Sequence, residues 1–218
     1  MTHLLQYVTW AVSIGLNLLV IAALVRGPYR DYRFPLAYAI TLLLTTVVEI
    51  AAYNKPPREA WLYYWTDELI LAILVFCVVI AFIDRAAKST NKPVRRHWLI
   101  LFAALIPVVS LALRHGPMKD MNAWMTLVGR DLNLCAVVLD LVLWSILIAS
   151  RRPDRRLLLL SGGLGVQLTG AILGQSIRHI SRAGVIPGSA LEVITSLLGL
   201  YIWWRAFSIP STPGKRPA

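Results

Sequence analysis

The sequence predicts an all-α membrane protein, a bundle of seven transmembrane helices with the N-terminus outside and the C-terminus in the cytoplasm. Hydrophobic residues make up 57% of the 218 residues, charged residues only 15%, and the mean hydropathy is +0.64. Soluble domains carry about 25% charged residues, so the composition excludes a soluble enzyme and a disordered chain. The formal net charge is nevertheless +11, and the position of these charges along the chain predicts the orientation.

Seven apolar runs are long enough to cross a hydrocarbon core of about 30 Å, which takes about 20 residues. The runs cover residues 4–25, 35–53, 62–83, 97–114, 124–149, 157–178 and 187–207. Only helices and closed barrels satisfy every backbone polar group in lipid, and these runs are too long for barrel strands. We therefore expect one domain over residues 1–218, with seven helices numbered here as spans 1 to 7.

The positive charges lie mainly on one side of the predicted bundle. The connections after spans 1, 3 and 5, together with the C-terminal tail, hold 15 of the 22 lysines and arginines, whereas the opposite connections hold six. Cytoplasmic loops carry such an excess. Span 1 has no basic region before it and is interpreted as an anchor rather than a cleaved signal peptide. The charge thus indicates a membrane topology instead of a nucleic-acid partner, and leaves the basic loops as a surface for a cytoplasmic or membrane protein partner.

Common ligands of helical membrane proteins are not expected. Span 7 contains no lysine for a Schiff base, which excludes retinal. The four histidines offer no pair at one depth on facing helices, so we expect no haem, no metal site and no other cofactor. Cys77 and Cys135 lie deep in spans 3 and 5 and are predicted to be unpaired core residues.

Span 5 and its cytoplasmic flank read GRDLNLCAVVLDLVLWSILIASRR. In this run, in its length and in the spacing of its spans, the chain resembles small uncharacterised seven-helix integral membrane proteins of bacteria. The resemblance covers the whole chain. It implies the seven-span topology and a location in the bacterial inner membrane, and it implies no activity.

Six of the seven spans carry a polar stripe, and only span 4 is nearly featureless, which predicts a peripheral position for it. Polar residues within spans face the bundle interior or a water-filled cavity. The ionisable ones lie in the outer third of their spans, except Asp140 near the middle of span 5. The candidate ligand- or ion-binding residues are Glu49, Asp67, Glu68, Arg130, Asp140, Arg178 and Glu192.

These residues have a structural and a functional interpretation. Arg130 and Arg178 are the only cations available to the carboxylates of this set, so ion pairs that hold the helices together would explain them. Gly170 and Gly174 of span 6 have the spacing that allows close helix approach, which suits that interpretation. Six stripes that converge at one end instead indicate an outward-facing polar vestibule.

We predict a non-enzymatic sensor or accessory subunit whose vestibule binds a small polar or cationic ligand. One alternative is a small transporter in which Asp140, apparently unpaired, carries a proton or cation. A second alternative is an intramembrane enzyme that acts on lipid, with carboxylates or His179 as acid–base groups. No nucleophile–base or metal-ligand spacing is visible to support the enzyme.

Overall fold

The structure is a computed structural model and describes residues 2–27, 32–53, 57–90, 121–148, 154–180 and 184–208. The elements within these ranges are six α-helices: α1 (Thr2–Arg26), α2 (Arg33–Ala52), α3 (Pro57–Thr90), α4 (Met121–Ile148), α5 (Arg155–Ile180) and α6 (Val185–Ser208). They correspond to predicted spans 1, 2, 3, 5, 6 and 7. The predicted span over 97–114 lies outside the described residues.

All six helices contain a stretch long and apolar enough to cross a membrane. Large apolar side chains cover much of the outer surface of the bundle, among them Leu44, Ile73, Leu141 and Ile194, which are each more than half exposed. Lipid is a suitable solvent for such a surface, since it is as apolar as these side chains. The described chain therefore has the architecture of a multi-pass membrane protein.

The helices pack as a ring in chain order. Each helix contacts the next one, and α6 returns to contact α1, while α3 also reaches α5 across the ring. The beginning of α5 is capped by Asp154, whose Oδ1 accepts the backbone N–H groups of Arg156 at 2.9 Å and Leu157 at 3.4 Å. This cap satisfies two of the donors that a helix N-terminus leaves free.

The antiparallel pair α5 and α6 makes the most extensive contact of the ring, and glycines let the two backbones approach. A Cβ atom on Gly174 would lie 2.6 Å from the carbonyl oxygen of Gly188, and one on Gly199 would lie 2.8 Å from that of Gly163. Gly170 likewise has no room for a side chain against α6. The close approach predicted from Gly170 and Gly174 is confirmed, and small residues at both helices explain it.

Five buried aromatic side chains pack together inside the bundle, near the beginnings of α2 and α5. Their centroids lie 5.3 to 6.4 Å apart in edge-on or tilted pairs, as the ring quadrupoles prefer. We call this group the aromatic cluster: Tyr32, Tyr38, Phe82, Trp203 and Phe207. The cluster joins α2, α3 and α6 at one end of the bundle.

Helices α3 and α4 run in the same direction. The middle of α5 faces Val75 of α3 and Asn133 of α4 across one cavity. Nearer the beginning of α5, Ser161 contacts Asp140 of α4, and Phe82 of α3 lies at that level in the aromatic cluster. From their beginnings to their ends, both helices thus pass first the level of the cavity and then the level of Ser161.

The two ends of the ring differ in charge among the described side chains. We call the end at the aromatic cluster the basic end. It carries the two aspartates Asp84 and Asp154 and six arginines, which are Arg26, Arg33, Arg85, Arg155, Arg156 and Arg205. The opposite, acidic end carries Glu49, Asp67, Asp131, Arg178 and Glu192. Helix α1 begins at the acidic end, where Trp10 packs 5.2 Å from Tyr53, and α6 ends at the basic end.

Candidate functional site

A cavity of about 180 Å³ lies inside the ring of helices, between α2, α3, α4, α5 and α6. We call it the central cavity. Part of its wall is apolar, and five side chains give it polar character: Tyr38, Asn133, Gln167, Glu192 and Ser196. All five belong to the predicted polar stripes: Tyr38 to that of span 2, Asn133 to that of span 5, Gln167 to that of span 6, and Glu192 and Ser196 to that of span 7. Stripe residues of four of the six striped spans therefore line one interior space.

Gln167 connects three helices across the central cavity. Its Nε2 donates to the hydroxyl of Tyr38 at 2.9 Å and to Oγ of Ser196 at 3.4 Å. Tyr38 is almost fully buried, with 4% of its surface exposed. Amide and hydroxyl groups both donate and accept hydrogen bonds, so this wall can bind a ligand that carries either kind of group.

Glu192 adds a charge to the central cavity and is paired with Arg178. The guanidinium Nη2 of Arg178 lies 2.7 Å from the carboxylate Oε2 of Glu192, and their side chains are 30% and 34% exposed. The two residues lie on α5 and α6 at the acidic end. The expectation that Arg178 pairs with a carboxylate of the candidate set is confirmed, and the pair brings both signs of charge to this side of the cavity.

The aromatic cluster adjoins the central cavity on its side towards the basic end. The ring of Tyr38, which lines the cavity, lies 5.6 Å from the indole of Trp203. Trp203 is 1% exposed, and its indole N–H donates to the carbonyl oxygen of Leu160 at 2.9 Å. A Cβ atom on Gly163 would lie 2.7 Å from that indole. Trp203 of α6 is thus packed and hydrogen-bonded against α5, next to the cavity on the side of the basic end.

Glu49 and Asp67 form a second acidic group at the acidic end, apart from the central cavity. The side chain of Trp10 hydrogen-bonds to the carboxylate of Glu49, and Asp67 lies close enough to repel it electrostatically. The side chain of Glu49 is exposed, although the stripe of span 2 predicted that it faces the interior. Glu49 lies about two turns beyond Leu42, the last residue of α2 that lines the cavity, and this position near the end of the helix explains the difference.

Asp140 lies in a third place, between α4 and α5. Its side chain is 4% exposed, and its Oδ1 accepts a hydrogen bond from Oγ of Ser161 at 2.8 Å. The expectation that Asp140 has no hydrogen-bond partner was therefore wrong. The partner was missed because Ser161 does not lie on the polar stripe of span 6, which runs through Gln167 and Arg178. Ser161 is the one serine or threonine in the first half of that span. A single hydroxyl side chain among apolar residues is the sequence signal that could have identified Ser161 as a partner of Asp140.

The candidate residues are therefore distributed over separate places in the described structure. Glu68 lies in α3 and Arg130 in α4, but their side chains are outside the described set. So are the side chains of all four histidines. Cys77 and Cys135 are free thiols, as predicted, and the described residues contain no group of three His, Cys, Asp or Glu side chains placed to hold a metal.

Comparisons with known protein families, with curated proteins and with solved structures find no match to this chain.

Proposed function

We propose that this protein is a seven-span protein of the bacterial inner membrane that binds a small polar molecule in the central cavity and acts as a non-enzymatic sensor or accessory subunit. The observation that carries the proposal is a cavity of about 180 Å³ with five polar side chains in its wall, within a ring of apolar helices. Polar side chains in a membrane interior are expensive unless they bond to one another or to a ligand.

The directions of the helices support seven spans. Helices α3 and α4 run in the same direction, which one further crossing between them in the chain would explain, and the apolar run over 97–114 has the length for such a crossing. The beginning of α1 and the end of α6 lie at opposite ends, which requires an odd number of crossings. The basic end is assigned to the cytoplasm by the positive-inside rule, which puts the N-terminus outside.

The lining of the central cavity supports a small ligand with mixed polarity. Drug-sized ligands occupy pockets of about 300–1,000 Å³, so this smaller cavity suits a compact molecule. Gln167, Ser196 and Tyr38 offer donors and acceptors. Glu192 favours a ligand with a cationic group, although Arg178 neutralises part of its charge. A small amine or amino alcohol has this combination of groups.

A sensor or accessory role fits the cavity better than the two alternatives. The buried aromatic cluster lies between the cavity and the basic end, which favours binding from the acidic side without passage. Asp140, the residue on which a transport role depended, does not line the central cavity but lies between α4 and α5. An enzyme needs an acid–base group in reach of its substrate, and Glu192, the carboxylate among the described cavity residues, already holds Arg178.

Ligand binding can be tested by thermal unfolding of the purified protein in nanodiscs. A panel of small amines, amino alcohols and polyols is screened at millimolar concentration, where a bound ligand stabilises by about 2.7 kcal/mol at a hundred times its Kd. Ser196→Leu fills the cavity and is expected to abolish the rise in unfolding temperature that the ligand causes. Ser145→Leu, the same change on the exposed side of α4, is expected to retain it. The proposal is contradicted if no compound raises the unfolding temperature of the wild type and the control, or if the compounds raise that of Ser196→Leu equally.

A further inference from the structure

A second hollow lies on the outer surface of the ring, over α5 and between α4 and α6. Its volume is about 410 Å³, and we call it the lateral groove. The groove and the central cavity lie on opposite faces of α5: Gly165 and Thr169 line the groove, whereas Gln167 and Ala171 line the cavity. The groove is therefore a separate site, and its evidence is independent of the proposed function.

Glycines of α5 create the depth of the lateral groove. Gly162 and Gly165 lie on its floor without side chains, and a Cβ atom on Gly165 would come within 2.8 Å of Oδ2 of Asp140. Leu141 and Leu173 line its rim and are 61% and 49% exposed on the surface that faces lipid. The groove is thus an apolar cleft open to the bilayer, with a carboxylate at its floor.

Asp140 is the feature that points to a ligand. Its side chain is 96% buried by the groove walls, since only 4% is exposed. Oδ1 accepts the hydrogen bond from Ser161, whereas Oδ2 faces Gly165 at the groove and has no hydrogen-bond partner among the described residues. A carboxylate oxygen in hydrocarbon is expensive without a donor, and an occupant of the groove would supply one.

The depth of Asp140 restricts the kind of occupant. The residue lies near the middle of the apolar stretch Asp131–Ile148, about 12 Å from either end at a rise of about 1.5 Å per residue. A phospholipid headgroup stays at the membrane surface and does not reach this depth. The occupant must therefore be soluble in the bilayer core and bring its own donor. Trp144 also lines the groove, and indole rings attract cations.

We propose that the lateral groove binds a lipophilic amine. The amine enters the bilayer core uncharged, takes up the proton of the Asp140 carboxyl group, and then donates as an ammonium group to Oδ2 beside Trp144. Its apolar body lies between Leu141 and Leu173. A charged donor matches a carboxylate better than a neutral hydroxyl does, because charge-assisted hydrogen bonds are about twice as strong.

Photolabelling of the purified protein in nanodiscs tests this site. The probe is dodecylamine with a diazirine in its chain, compared with the matching alcohol and carboxylic acid, and the labelled peptides are identified by mass spectrometry. We expect the amine to label the α4 and α5 segments at the groove, and to do so more than either matched probe. Loss of one charge-assisted hydrogen bond corresponds to about a ten-fold loss of affinity, so Asp140→Asn is expected to reduce this label about ten-fold.

Two tryptophan variants separate groove binding from general partitioning into lipid. Thr169→Trp fills the groove from an exposed position and is expected to abolish the label even if Asp140→Asn folds poorly. Leu44→Trp, at a site on α2 that is 58% exposed and away from the groove, is expected to leave it unchanged. Equal labelling by all three probes, equal labelling of Thr169→Trp, or no label in the wild type overturns the proposal. In the last case, cross-linking from Thr169→Cys shows whether a second copy or residues 97–114 cover the groove.

Discussion

The amide of Gln167 donates a hydrogen bond of 2.9 Å to the hydroxyl of Tyr38, a residue 129 positions earlier in the chain. This bond crosses the ring of helices from α5 to α2, which are not neighbours in the ring. The two residues sit on the wall of the central cavity, and the ring of Tyr38 also packs on Trp203. One polar contact thus links the cavity wall to the aromatic cluster beneath it.

We expect the Gln167–Tyr38 bond to show measurable coupling in a double-mutant cycle. Interhelical hydrogen bonds in membrane proteins contribute about 0.6 kcal/mol on average and at most about 1.7 kcal/mol. The free energy of unfolding is measured by SDS titration in mixed micelles for Gln167→Ala, Tyr38→Phe and the double variant. A coupling energy of zero would mean that the bond does not form in the membrane.

Substitution of Gly174 is expected to destabilise the α5–α6 pair. An alanine there places its Cβ 2.6 Å from the carbonyl oxygen of Gly188, so the helices must separate, and overpacking of this kind costs about 1–3 kcal/mol. Gly15→Ala is the matched control, because a Cβ atom there meets nothing within 4 Å. Alanine is also the better helix former, so the control should unfold no more easily than wild type. Equal loss in both variants would argue against the glycine contact.

The Arg178–Glu192 pair is expected to add only modestly to stability. Both side chains are about a third exposed, at 30% and 34%, and exposed ion pairs typically contribute about 0.2–1 kcal/mol. A double-mutant cycle with Arg178→Ala and Glu192→Ala measures this coupling. Raising the ionic strength should weaken it if water reaches the pair. A coupling of several kcal/mol that is insensitive to salt would show that lipid or protein seals the pair from water.

Removal of the Trp203 side chain is expected to have a much larger effect than removal of its neighbour. Trp203 is 1% exposed at the centre of the aromatic cluster, and truncation of a buried aromatic costs about 3–5 kcal/mol. Tyr201 is 46% exposed on the same helix, so Tyr201→Ala should change the free energy of unfolding by less than about 0.5 kcal/mol. The comparison uses the same SDS titration. Similar losses in both variants would contradict the position of Trp203 beneath the cavity.

The two termini are expected on opposite sides of the membrane. Reporter fusions that are active only outside or only inside the inner membrane can be placed before α1 and after α6. Seven spans with the basic end in the cytoplasm predict an outside signal from the N-terminal fusion and an inside signal from the C-terminal one. Signals from the same side would leave an even number of crossings and refute the proposed topology.

The positions and the apolar character of the six described helices could be predicted from the sequence alone. Spans such as Arg155–Arg178 could be recognised because the requirement for about 20 apolar residues is a property of each segment alone, independent of its neighbours. The close approach of α5 to α6 was equally predictable from Gly170 and Gly174, since only small residues allow it.

Which polar faces meet, and at what depth, could not be predicted from the sequence and became visible in the packed bundle. The helical period places Gln167 and Gly165 on different faces of one helix, but it does not say which neighbour covers each face. The structure put Gln167 against Tyr38 in the central cavity and Gly165 against Asp140 in the lateral groove. A partner such as Ser161 lies off the polar stripe of its own helix, so no pattern within that helix could pair it with Asp140. Contacts of this kind depend on the packing and relative height of separate helices, which are set by the assembled bundle.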